Sequence, residues 1–117
     1  MVLKLDAKGL IPAIVQDAST GQILTMAYMS PASLKLTLKE GQLWFYSRSR
    51  EDLWHKGETS GNFLEFQQAL VDCDGDTLLI KAQPSGPTCH TGNDSCFFQQ
   101  LEPEPTYQIE EKGPSIL

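Results

Sequence analysis

The 117-residue chain contains no apolar run approaching the roughly 20 residues needed to span a bilayer. Its opening, MVLKLDAKGL, lacks an apolar stretch followed by a small-residue cleavage site. Both absences point to a soluble, cytoplasmic protein with no membrane partner. Basic residues are scarce: nine Lys and Arg stand against fifteen Asp and Glu, a formal charge of −6. A general nucleic-acid binder needs a basic face to displace counterions, so that class is excluded. A small phosphorylated ligand held by a local basic cluster is not. There is no internal repeat, no GxxxxGK[ST] phosphate loop and no C-x2-C knuckle. Cysteine occurs three times, an odd count that suits reduced thiols better than a disulfide framework.

What is present is enough for one modest core, with 40% hydrophobic residues. At this size an oligomer or a metal would add support. LIPAIVQD and QILTMAYMS are β-leaning runs around the turn-like ASTG, and read as a hairpin. Ser30 as N-cap, Pro31 at the first helical position and Gly41 beyond the end frame a short helix over residues 31–40. QLWFYSRS reads as a strand and SREDLWHKGETSGN as a long irregular loop. FLEFQQALVDCDGDTLLIKAQ reads as two strands around Asp74-Gly75, and CFFQQLE as a final strand. This order favours a mainly β (α+β) fold, an antiparallel sheet with one or two short helices; the βα alternation of a parallel sheet is missing. Residues 1–101 form the domain, and the Pro-rich acidic stretch 102–117 a loosely ordered tail.

Cys73, Cys89 and Cys96 are spaced C-x15-C-x6-C. Three thiolates with an open fourth position suit catalytic zinc, whereas three unrelated buried thiols are the simpler alternative. Cys89 lies in PSGPTCHTGNDSC, among Gly, Pro and polar residues, where a core thiol is out of place. Adjacent residues rarely aim at one metal, so His90 reads as a general base or a support to the site. His55 reads as solvated or as a substrate contact.

DCDGD repeats a carboxylate at every second position. On an extended chain Asp72, Asp74 and Asp76 point one way and Cys73 the other. Such crowding favours a hard cation, Mg²⁺ or Ca²⁺, or else marks a solvated hairpin tip. An EF-hand is excluded, because its sixth position holds Thr77 in place of Gly and its twelfth Gln83 in place of Glu. The loop after QLWFY gathers Arg48, Arg50, Lys56, Thr59 and Ser60, a set suited to phosphate, with Trp54 as a base stack or an anchor.

Taken together, WFYSRSREDLWHKGETSGN, VDCDGDTLLIKAQPSGPTCHTGNDSCF and GLIPAIVQD resemble the phosphoribosyl-AMP cyclohydrolases of histidine biosynthesis, over roughly residues 8–98. The resemblance implies hydrolytic opening of an adenine ring at N1–C6 with zinc-activated water. It implies a compact barrel-like β fold capped by helix and a homodimer. One zinc per subunit would be bound by Cys89 and Cys96 of one chain and Cys73 of the other, with magnesium at Asp72, Asp74 and Asp76. His90 would move protons, and Arg48, Arg50, Lys56, Thr59 and Ser60 would hold the nucleotide. Many relatives continue into a second domain that this chain has no room for. A zinc nucleoside deaminase is the near rival, but its H-x-E and P-C-x-x-C are missing. A non-catalytic zinc and divalent-cation module is the more distant one.

Overall fold

The computed structural model describes residues 1–102 and 107–110. Six strands and one helix follow one another: β1 (Ile11–Asp17), β2 (Ile23–Met29), α1 (Pro31–Glu40), β3 (Trp44–Ser47), β4 (Asp52–His55), β5 (Leu64–Val71) and β6 (Leu78–Pro84). They form a single sheet in the order β4-β3-β2-β1-β6-β5. The sheet curls into a half-barrel. Its two sides approach each other where the Leu43 N–H donates to the Leu64 carbonyl and the Phe66 N–H to the Gly41 carbonyl.

Alternation along the strands builds the core. Ile11, Ala13 and Val15 of β1 point inward, facing Met29 on β2 and Leu78, Ile80 and Ala82 on β6, with Leu43, Phe45 and Leu64 closing the interior. Burying a side chain such as Phe45 or Ile80 contributes about 1.5–3 kcal/mol. The helix forms where its caps place it. Ser30 accepts from the Ser33 N–H, Ser33 answers with its hydroxyl to the Ser30 N–H, and the Gly41 N–H donates to Thr37. Thr37 is fully buried and ties the helix to the sheet, accepting from the Trp44 N–H at 2.9 Å.

Three expectations are corrected. The sheet is mixed: β1 and β6 pair in parallel, with Ala13 opposite Leu78 and Asp17 opposite Ala82. The long excursion through α1 and β3–β5 supplies the crossover such a pair needs. The irregular loop contains β4, which pairs with β3 through Trp44–His55 and Phe45–Trp54. CFFQQLE is not a strand, and its Phe97, Phe98 and Leu101 are exposed. Of the proposed tail, 103–106 and 111–117 lie outside the described residues. No helix among the described residues is long and apolar enough to cross a membrane.

Candidate metal and substrate sites

The two sets of candidate ligands flank β6. DCDGD precedes it, and the cysteine loop follows it. In seven residues β6 advances about 23 Å, so the sets stand at opposite ends of one strand. The far end is confirmed by the Cys96 N–H, which donates to the Leu24 carbonyl at 2.7 Å, beside the C-terminal end of β1.

At the near end the chain turns instead of extending. Gly75 is buried at φ 76°, and a Cβ there would lie 2.7 Å from the Val2 carbonyl oxygen. Only glycine satisfies both demands without strain. The turn, not strand alternation, brings Asp72, Asp74 and Asp76 together, so that one ligand oxygen from each lies within 4.8 Å of the others. All three are exposed, as is Cys73. Partial desolvation opposes the charge on Asp72. It is outweighed by hydrogen bonds from the Asp76 and Thr77 N–H groups, at 3.0 and 3.3 Å, which hold its carboxyl below the ordinary range. Asp76 is pushed up, first by its side-chain hydrogen bond with Asp72, then by desolvation and the charges of Asp72 and Asp74. The turn therefore holds a strained set of like charges, the condition a hard divalent cation relieves.

At the far end Cys89 is buried and Cys96 exposed. The loop is held from both sides. The Cys89 N–H donates to the Asn93 carbonyl at 3.0 Å, and the Ser95 hydroxyl to the Ile23 carbonyl at 2.7 Å. Gly86 faces Asn62 so closely that a Cβ would lie 2.3 Å from its Oδ1. The Thr91 hydroxyl donates to Cys89 Sγ at 3.0 Å, and with the Thr91 N–H holds that thiol below its usual range; Cys96 and the Lys56 charge add to this. Partial desolvation pushes the Cys96 thiol up, and the neighbouring Cys89 pushes it further. The pair thus loses its first proton at Cys89. Two thiols within hydrogen-bond reach, one inclined to ionise, form a soft donor pair that fits zinc. Among the described residues of one chain, Cys73 does not converge with them.

A cavity of about 350 Å³ opens on Cys89, lined among others by Trp54, Lys56, Thr59, Ser60 and His90; Cys96 lies outside its lining. His90 and the two hydroxyl residues are exposed, whereas Lys56 is half-buried with its ammonium donating to the Thr88 carbonyl. Arg48 and Arg50 do not line it. Arg48 lies over the Tyr28 ring at 4.0 Å, and Tyr28 with Lys4, Asp6 and Asp76 borders a second depression beside the aspartate turn. Lys56 thus lines the cavity, whereas Arg48 lies over a ring that borders the second depression.

His55 is neither solvated nor in the cavity lining. It stacks on Trp44 with ring centroids 4.5 Å apart and bonds Gln42 Oε1 at 2.8 Å, because β4 turns it onto its register partner. Trp54 both anchors and lines: it packs on Phe45 at 5.6 Å while bordering the cavity. Thr91 and Asn62 escaped the sequence reading. The hydroxyl two residues after Cys89 was the available signal for Thr91; Asn62 carried none.

A family model described as phosphoribosyl-AMP cyclohydrolase matches residues 25–98. A phosphoribosyl-AMP cyclohydrolase of Clostridium botulinum is 54% identical over 101 residues, covering 84% of this chain and 92% of that protein. One from Pelotomaculum thermopropionicum is 55% identical, covering 86% of this chain and 78% of its own. A histidine biosynthesis bifunctional protein HisIE of Caldanaerobacter subterraneus is 56% identical over 92% of this chain, which spans about half that relative's length, 53%. By the family model over residues 25–98 and by relatives more than 50% identical of which it covers 78% and 92%, the chain belongs to the phosphoribosyl-AMP cyclohydrolase family.

Proposed function

We propose that the protein hydrolyses the adenine ring of phosphoribosyl-AMP, a step of histidine biosynthesis, in a homodimer whose two sites each draw on both chains. The observation that carries the reading is the cavity that presents Cys89 and His90 beside Lys56, Thr59 and Ser60, with Cys96 a side-chain neighbour of Cys89. The donor set supports zinc at Cys89, Cys96 and the partner subunit's Cys73, where it would supply an activated water near neutral pH.

The chain's own residues do the rest. Trp54 walls the cavity and excludes water from one side of the base. The Thr59 and Ser60 hydroxyls donate to phosphate or ribose oxygens. N1 substitution makes the purine electrophilic at C6. As the oxygen of water bonds to C6 and the N1–C6 bond breaks, C6 becomes a carboxamide and the water gives up both protons: one travels to N1, and the other goes to the exocyclic nitrogen of the neutral purine or, from the cationic form, to solvent. The His90 imidazole, next in sequence to Cys89 and exposed to the cavity, accepts and returns the proton bound for N1. Magnesium at Asp72, Asp74 and Asp76 would neutralise the acidic end and meet a substrate phosphate. Arg48, over the Tyr28 ring that borders the second depression, would assist there, with Arg50 two residues on.

Two-fold symmetry is compatible with the shared site. In an isologous dimer, if one end of a chain meets the opposite end of its partner, the reciprocal contact forms as well. Ligand sets at the two ends of β6 would then meet twice. The composite site is tested by mixing. Cys73→Ala and Cys89→Ala proteins should each be inactive, and unfolding and refolding them together should restore activity to about one quarter of wild type, since half the dimers then carry one intact site of two. No recovery, with dimers shown to exchange, would overturn the shared site. The reaction itself is tested by ultraviolet absorbance on phosphoribosyl-AMP, together with zinc counted per chain. Absence of ring opening by zinc-loaded protein would favour a non-catalytic cation-binding module.

A further inference from the structure

Lys56 is one of the basic residues that the sequence offers to phosphate, yet its ammonium is committed elsewhere. It donates to the carbonyl of Thr88, the residue before Cys89. It also lies 5.5 Å from the centroid of the Trp54 ring. The Lys56 N–H donates to the Leu43 carbonyl at 3.1 Å, which fixes its backbone to the sheet. Thr88 is 2% exposed, so its carbonyl has little access to water as a substitute donor. The Thr88 hydroxyl has no hydrogen-bond partner. Among the described residues, the tie to Lys56 is therefore the side-chain hydrogen bond that holds this peptide to the rest of the fold.

We propose that Lys56 is a positioning residue for the cysteine loop and not a phosphate ligand. Its ammonium, near the Trp54 ring, ties the Thr88–Cys89 peptide to the end of β4, and its charge faces two thiols that become anionic on binding zinc. A cation held beside a thiolate cluster offsets its negative charge. Loss of such an outer partner typically weakens metal binding by about 10–100-fold. The thiolate part of this inference rests on the zinc reading above; the tether does not.

The test separates the two. Lys56→Met keeps the apolar stem and removes the donor and the charge; Lys56→Arg keeps both. In metal-free protein, amide hydrogen exchange over residues 87–93 should accelerate severalfold in Lys56→Met and return close to wild type in Lys56→Arg. Zinc affinity, measured by competition with a chromophoric chelator, should fall about 10–100-fold in Lys56→Met and recover in Lys56→Arg. With zinc saturating, KM for the nucleotide should change less than about threefold while kcat falls. Unchanged exchange and zinc affinity with a raised KM would overturn the proposal and make Lys56 a phosphate contact. Wild-type protein that binds no zinc would refute the zinc reading, and the exchange result would still decide the tether. If Lys56→Met fails to fold, Lys56→Gln is measured in the same way.

Discussion

The aspartate turn before β6 and the cysteine loop after it both crowd groups that become negative, but in different surroundings. The turn is exposed, all three of its carboxylates included. It tolerates three charges because solvent screens them, and its remaining repulsion appears as the raised Asp76. The loop buries Cys89 and supplies its own compensation from Thr91 and Lys56. A hard cation needs only oxygens and retains its waters, so an open turn serves it. A soft cation takes thiolates, which ionise only where donors and a positive charge are built around them. The difference predicts that the loop is sensitive to its neighbours and the turn mainly to its own charge count.

The largest expected effect breaks the loop. Cys89→Ser should lower ring opening and zinc retention together by at least about 100-fold, the upper end of what a lost outer partner costs. Magnesium binding should fall far less; an equal loss would mean that zinc bound to the partner subunit's Cys73 also orders the aspartate turn. Next comes Gly75→Ala, which forces a side chain into a left-handed turn against the Val2 carbonyl. Stability should fall by about 1–3 kcal/mol, and a melting temperature unchanged from wild type would contradict the packing of the N-terminal segment on the turn.

A smaller effect concerns charge at the turn. Asp72→Asn should weaken magnesium by about tenfold and zinc, held mainly by Cys89 and Cys96, far less. Magnesium release on acidification has a defined sign. Asp76 takes up its proton above the ordinary aspartate range, so release should begin above that range as pH falls. Asp72, held low, keeps its charge until lower pH. Isothermal titration across the acid range checks this; release confined below the ordinary range would contradict the carboxylate coupling. The smallest effect is at His55→Ala. Loss of the Trp44 stack should cost about 0.5–1.5 kcal/mol of stability with kcat and KM unaltered.

Legibility followed the range of each interaction. The helix boundaries were readable because Ser30, Pro31 and Gly41 act on adjacent backbone. The β1–β6 parallel pair was not, because its partners are brought together by everything between them. β4 was hidden because Asp52, Leu53, Trp54 and His55 give an edge strand without apolar alternation. CFFQQLE misled in the opposite direction: β-prone residues form no strand where no edge is paired to them. The ligand types of the candidate site were visible residue by residue, but their convergence was not. Strand alternation placed the aspartates on one side, whereas a glycine turn draws them together. The division of Arg48 from Lys56 depends on curvature of the sheet, which no short window of sequence encodes.

The parallel pairing of β1 with β6 also sets the order of events during synthesis. Val15 and Ile80 are fully buried and face each other in register, yet 65 positions separate them. The β1–β2 hairpin and α1 can form locally as they emerge, but the core cannot close until β6 is free of the ribosome, and contacts this distant in sequence form slowly. Until then the inward faces of β1 and β2 have only transient cover. A chain arrested before Leu78 should therefore engage chaperones, and release from them should coincide with completion of the strand whose two ends carry the ligands.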